Sequence, residues 1–138
     1  HNCNISIPED FNVSTDFSGG GKIKRQGAVT KEEMILDIGP KTIENIKDII
    51  EKSNTVLWNG PAGYFENNDF SKGTVSIAKK ISENTTSKSL ISVIGGGDTI
   101  SAINKSKDKF TFTHLSTAGG AFLEFLEGKD LPGLAVLK

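Results

Sequence analysis

Residues 89–99 read Ser-Leu-Ile-Ser-Val-Ile-Gly-Gly-Gly-Asp-Thr, and this stretch decides the fold. Ser89 to Ile94 is apolar enough for a buried strand, and it stops at three glycines. A short helical stretch around Thr99–Asn104 comes next. Strand, glycine turn and helix in immediate succession suit a βαβ unit of an α/β fold. Glycines let the backbone come close to an anionic ligand. Free N–H groups at the start of the following helix favour phosphate. Asp98 adds a hard oxygen suited to Mg²⁺ brought in with a nucleotide. A tight turn in which Asp98 is simply an N-cap accounts for the same residues, and the stretch alone leaves both open. No Gly-Lys-Ser/Thr follows at Walker A spacing, and Ile100 occupies the third glycine position of a dinucleotide fingerprint.

The same grammar recurs on either side. Upstream, Asp37-Ile38-Gly39-Pro40 supplies turn residues and a proline suited to a first helical turn. Ile43, Ile46, Ile49 and Ile50 then recur at helical spacing. Thr55-Val56-Leu57-Trp58 reads as a buried strand ending at Asn59-Gly60-Pro61. Asp69 is a candidate cap for a second helix whose apolar face uses Phe70, Ile77 and Ile81, with Thr74 between them. Downstream, Phe110 to Leu115 alternates as a strand. Gly119-Gly120 opens a helix with Phe122, Phe125 and Leu126 toward the core and Gly128 as its stop. Leu134 to Leu137 is a last short strand or a docked tail.

The expectation is therefore an α/β fold, a parallel sheet with flanking helices, Rossmann-like and three-layered. In such sheets ligands sit beyond the carboxyl ends of the strands, where all three glycine-bearing turns fall. At the first, Asn59, Gly60, Pro61 and Ala62 leave a flat slot for a planar ring, and Glu66 is placed to accept from ribose hydroxyls. Trp58 reads as core rather than a stacking platform, and Glu66 alone equally suits a plain surface carboxylate. The Thr117-Ala118-Gly119-Gly120-Ala121 turn reads first as close packing, with a second phosphate-facing helix start as the alternative.

Outside this pattern the chain is plain. Residues 9–36 are polar and poorly periodic, and Gly19-Gly20-Gly21 reads as a flexible connector. Asn4 to Pro8 resembles a strand running into a turn, and an opening without Met suggests a chain cut inside a domain. With 138 residues, 36% of them hydrophobic and 24% charged, one compact domain is expected. A net charge of −1 gives no field to recruit nucleic acid or an anionic membrane. The basic cluster Lys22, Lys24 and Arg25 lacks interleaved aromatics and reads as a solvated strand or loop. Cys3 is the single cysteine, the two histidines show no metal-ligand spacing, and no apolar run is long enough to span a membrane. A reducing, cytoplasmic setting fits. His114 and Ser116 have no acid to complete a triad, but phosphoryl transfer needs positioning and charge stabilisation more than a base.

Taken in order, DIGP at 37–40, LWNGP at 57–61, FE at 65–66, SKGT at 71–74, GGGDT at 95–99 and LEFLEGKDLPG at 123–133 resemble the C-terminal domain of phosphoglycerate kinases. Residues 4–11 are similar to the strand and turn that precede this region in the family. The resemblance implies a partial domain: residues 1–138 match the C-terminal part of the nucleotide-binding domain. The first half of that domain and the N-terminal, phosphoglycerate-binding domain have no counterpart here. It implies a phosphotransferase of glycolysis, a monomer, moving a phosphoryl group between 1,3-bisphosphoglycerate and MgADP to give 3-phosphoglycerate and MgATP. Carried onto this chain, Asn59, Gly60, Pro61 and Ala62 line the base and sugar, and Glu66 holds the ribose. Gly95, Gly96, Gly97 and Thr99 form the phosphate turn, with N–H groups from Gly96 and Gly97, and Asp98 binds the metal. Gly119 and Gly120 stabilise the transferring group. Where the family has a third glycine this chain has Ala118, which a positive φ would strain. By itself the chain is expected to be inactive. A stand-alone nucleotide-binding module and an unrelated dinucleotide-binding α/β protein are the competing readings.

Overall fold

The computed structural model describes residues 3–137. Two three-stranded sheets organise it. The first is antiparallel, in the order β2-β1-β3, from β1 (Asp10–Ser14), β2 (Lys22–Arg25) and β3 (Met34–Ile38). The second is parallel, in the order β4-β5-β6, from β4 (Thr55–Asn59), β5 (Ile91–Gly95) and β6 (His114–Ser116). Helix α1 (Pro40–Glu51) leads from β3 to β4, and α2 (Lys72–Ser87) leads from β4 to β5. Helix α3 (Gly97–Lys105) follows β5, and the short α4 (Gly120–Leu126) and α5 (Pro132–Ala135) follow β6. The α/β class and the helix-flanked parallel sheet are as the glycine-turn pattern predicts.

The core lies between the parallel sheet and its helices. Ile50 of α1, Ile77, Ala78 and Ile81 of α2, Ile103 of α3 and Ile94 of β5 form one buried cluster with Leu90. Ile38, Val56 and Trp58 pack against it, so Trp58 is a core residue as expected. Both long helices are anchored by aspartates from strands rather than by residues of their own. Gly39 and Ser71, the N-cap residues of α1 and α2, make no side-chain cap. Asp10 of β1 instead accepts from the Lys41 and Thr42 amides at 3.0 and 2.8 Å. Asp37 of β3 accepts from the Gly73 amide at 2.9 Å. Each carboxylate satisfies helix-start N–H groups that have no intrahelical partner.

Several expectations change here. Residues 9–36, poorly periodic in the sequence, hold β1, β2 and most of β3. Their strands are only four or five residues long, too short for a periodicity to stand out. The glycine triplet sits in the β1–β2 connection, and the basic cluster lies on the exposed β2. Residues 3–8 adopt no regular element. Asp69 does not cap α2. It lies in a 3-10 turn and accepts from the Gly20 amide at 3.2 Å. The strand expected over 110–115 shrinks to 114–116, since hydroxyls take over the ladder just before it. Ser92 N donates to Thr113 Oγ1 at 3.1 Å, and Thr113 N donates to Ser92 Oγ at 3.0 Å.

The chain's end is less packed than its pattern implies. Phe125 and Leu126 are exposed, and in α4 only Phe122 of the three expected core residues is half-buried. Residues 132–135 are helical rather than a strand, and Leu134, Val136 and Leu137 are exposed rather than docked. β4 is half-exposed, not buried: Leu57 is 44% exposed, and its neighbour on that face, Ile91, is 52% exposed.

Candidate functional site

The parallel register places the three glycine turns side by side. Asn59 pairs with Gly95, and Gly95 pairs with Ser116, so β4, β5 and β6 end on one line. Each strand hands over to a turn there, at the carboxyl edge where α/β sheets hold ligands.

Hydrogen bonds tie the turns together. The Gly60 amide donates to Thr99 Oγ1 at 2.8 Å, linking the end of β4 to the first turn of α3. The Gly96 amide donates to the Ser116 carbonyl at 3.2 Å, linking β5 to β6. Gly96 has φ of 93°, and a Cβ there would come within 2.5 Å of Asn59 Oδ1. Only glycine fits that place. A Cβ on Gly119 would lie 3.5 Å from the Gly96 Cα, so the third turn abuts the second. Phe122 backs the arrangement, since a Cβ on Gly95 would meet its ring at 3.2 Å.

The donors are distributed differently from the sequence expectation. The Gly96 N–H is already given to Ser116. The first bond within α3 runs from Ile100 N to Gly96 O, which leaves Gly97, Asp98 and Thr99 as the amides without intrahelical partners. Gly97 and Asp98 are exposed at that helix start, whereas Thr99 is fully buried and serves Gly60. At α4 the first bond runs from Leu123 N to Gly119 O, leaving Gly120 among the free amides. Ala118 is not in the left-handed region, so alanine is unstrained where a third glycine was expected.

Pro61 and Ala62 continue from the first turn and line, with Gly63, Leu36 and Tyr64, a cleft of about 340 Å³. The Ala62 amide donates to Thr74 Oγ1 at 2.9 Å and the Tyr64 amide donates to the Leu36 carbonyl at 2.7 Å. A larger cleft of about 430 Å³ lies elsewhere, between the β1–β2 connection and the start of α2. Glu66 stands apart from the glycine turns. Its side chain is exposed, and its carbonyl accepts from Lys105 Nζ at 2.5 Å in the last turn of α3, about 12 Å of helix rise from Gly97.

Among the described residues no three His, Cys, Asp or Glu side chains gather as a metal cage. Asp98 is a single exposed carboxylate at a helix start. This donor set fits Mg²⁺, which keeps most of its waters and shares its sphere with phosphate oxygens, rather than an ion held wholly by protein. No helix among the described residues is long and apolar enough to cross a membrane.

Two residues at the site lie in the DIGP and SKGT motifs but have no role assigned from the sequence. Thr74 stands at an ordinary amphipathic helix position, and Asp37 reads as a turn residue. Only the fold brings Thr74 to Ala62 and Asp37 to Gly73.

Comparison with known proteins shows the family. The phosphoglycerate kinase family model matches residues 1–129. A phosphoglycerate kinase of Agrobacterium fabrum is 47% identical over 137 residues, covering 98% of this chain and 34% of the relative. One from Chelativorans sp. is 44% identical over 138 residues, covering 99% and 35%. The structure of phosphoglycerate kinase from Coxiella burnetii superposes with a TM-score of 0.82 at 40% identity, over 96% of this chain and 34% of that one. The chain thus spans about a third of the length of the curated relatives it matches.

Proposed function

The chain belongs to the phosphoglycerate kinase family, and from that premise we propose that it carries the nucleotide and metal side of a phosphoryl transfer. The reaction is transfer between 1,3-bisphosphoglycerate and MgADP, giving 3-phosphoglycerate and MgATP. Residues 1–138 act as the C-terminal part of a nucleotide-binding domain. The phosphoglycerate is held by another domain of a longer, monomeric, cytoplasmic enzyme, and this chain alone does not turn over.

The single observation that carries the reading is the register Asn59–Gly95–Ser116, which sets three glycine turns along one edge. Asn59, Gly60, Pro61 and Ala62 form the wall against the base and sugar, and Glu66 accepts from the ribose. Gly95 and Gly96 keep the second turn bare of side chains, so the backbone approaches the phosphates closely. Gly97 offers its N–H, with the amides of Asp98 and Thr99 beside it. Mg²⁺ neutralises charge on the phosphates when bound, and Asp98 holds it. Gly119 and Gly120 direct backbone donors at the transferring group, where preorganised dipoles matter most. The leaving group toward ADP is a carboxylate, so the site has no proton to remove. That agrees with the lack of any general base among these turns.

The test is a titration of ¹⁵N-labelled chain with MgADP, read in amide spectra. Saturable shifts at Gly97–Thr99, Glu66 and Gly119–Gly120 are expected. A dispersed spectrum that MgADP leaves unchanged would overturn the assignment of a nucleotide site to this chain.

A further inference from the structure

The loop after β4 is held at alternate amides by three different elements. Thr99 Oγ1 takes the Gly60 amide, Thr74 Oγ1 takes the Ala62 amide, and the Leu36 carbonyl takes the Tyr64 amide. Thr99 belongs to the second glycine turn and Leu36 to a neighbouring strand. Thr74 belongs to neither, since it is the third residue of α2 and 1% exposed. Its hydroxyl accepts an amide from outside the helix, as only Ser82 Oγ also does among the hydrogen bonds of α2, taking the Thr111 amide at 2.8 Å. Thr85, Thr86 and Ser87 turn theirs back on the carbonyls of Ile81, Ser82 and Glu83, four residues earlier. Thr74 instead reaches across to the loop.

Thr74 is itself fixed from behind. Asp37, 2% exposed, accepts from Gly73 N and from Ile38 N, each at 2.9 Å. Neither Gly63 nor Gly73 has room for a Cβ, because each would collide with the Asp37 carboxylate. The start of α2 and the loop therefore close on the same carboxylate from two sides, which fixes the height of Thr74 relative to Ala62.

We propose that Thr74 is a positioning residue for nucleotide binding, its hydroxyl holding Ala62 and hence the 59–62 wall at the height the base and sugar require. This inference rests on the reading of that wall as the nucleotide's. Valine at 74 keeps the shape and removes the acceptor, leaving the Ala62 amide without a partner. Serine keeps the hydroxyl and removes only a methyl.

The experiment compares the wild-type chain with Thr74→Val and Thr74→Ser by amide hydrogen exchange and by MgADP titration. In Thr74→Val the Ala62 amide should exchange at least about tenfold faster and MgADP should bind about tenfold more weakly, the scale of one lost buried acceptor. Protection at Ile94 and Ile103 should be unchanged. Thr74→Ser should return both readings to wild type. Wild-type MgADP affinity in Thr74→Val would overturn the positioning role and leave the nucleotide reading standing. Equal loss in both variants, or a Thr74→Val that does not fold alongside a weakened Thr74→Ser, would overturn it too, since packing rather than the hydroxyl would then govern. A wild-type chain that ignores MgADP would remove the nucleotide reading and the role together.

Discussion

Thr99 Oγ1 accepts the Gly60 amide at 2.8 Å, so one buried hydroxyl joins the end of β4 to the first turn of α3. This hydrogen bond ties together two of the three glycine turns that the strand register sets side by side. Thr99→Val retains the shape and leaves the Gly60 N–H unpaired. Such a loss costs about 1–3 kcal/mol where the donor is buried, and less where water can reach it. A lowered melting temperature and MgADP affinity weakened by about tenfold are expected, measured by calorimetry and titration. Unchanged affinity would show that the two turns hold their spacing without the bond.

The two cap-supplying aspartates should respond to pH in opposite directions. Burial alone would raise Asp10, but the Thr42 hydroxyl and the Lys41 and Thr42 amides outweigh it and hold the carboxyl below its usual value. Its stabilisation is present above about pH 4 and is lost as pH falls through the lowered folded value. Asp37 is pushed up to about 6, chiefly by burial, against the amides of Gly73, Ile38 and Lys72. Its contribution is fully present below about pH 4 and declines as pH rises toward 6. Asp37→Asn should flatten the fall in stability between pH 4 and 6, read from urea unfolding at each pH. An unchanged slope in Asp37→Asn would rule out Asp37 as its source.

How far the sequence predicts this site depends on the range of each interaction. The three turns were visible because strand, glycines and helix follow within a dozen residues, and the parallel register then aligns them without further instruction. β1 to β3 were not visible. The strands are short, and pairing such as Asn12 with Ile23 and Asp37 is decided by partners elsewhere in the chain. The trans caps were hidden for the same reason, since Asp10 and Thr42 are 32 residues apart. Phe125 and Leu126 misled in the other direction, because an apolar face was read as a packed one.

Gly96 and Gly97 should separate stability from binding. Gly96→Ala forces a left-handed φ of 93° on alanine and presses its Cβ on Asn59 Oδ1, a cost of about 2 kcal/mol or more. Gly97→Ala meets nothing within 4 Å and has no positive φ. It should leave the unfolding midpoint unchanged or slightly raised, because alanine is the better helix former. Its added methyl nevertheless stands where the phosphates would approach, so MgADP should bind about tenfold more weakly. Full affinity in Gly97→Ala would place the phosphates somewhere other than this turn.

The last expectation concerns the open face of the parallel sheet. Strand alternation puts Val56, Trp58, Ser92 and Ile94 toward the helices, and Leu57 and Ile91 on the opposite side, where both are about half exposed. Phe122 lies on that face beside Gly95. In the 138-residue chain, replacing Leu57 and Ile91 with threonine removes little buried surface and keeps strand propensity. Each substitution should change stability by no more than about 0.5 kcal/mol while reducing dye binding and self-association. If the proposed longer enzyme packs further helices on this face, the same substitutions made there should cost about 1–3 kcal/mol each, the scale of a buried side chain. Paired unfolding measurements on the short and long proteins distinguish the cases. Equal, small costs in both would mean that the face stays open to solvent and that the domain is complete without an upstream layer.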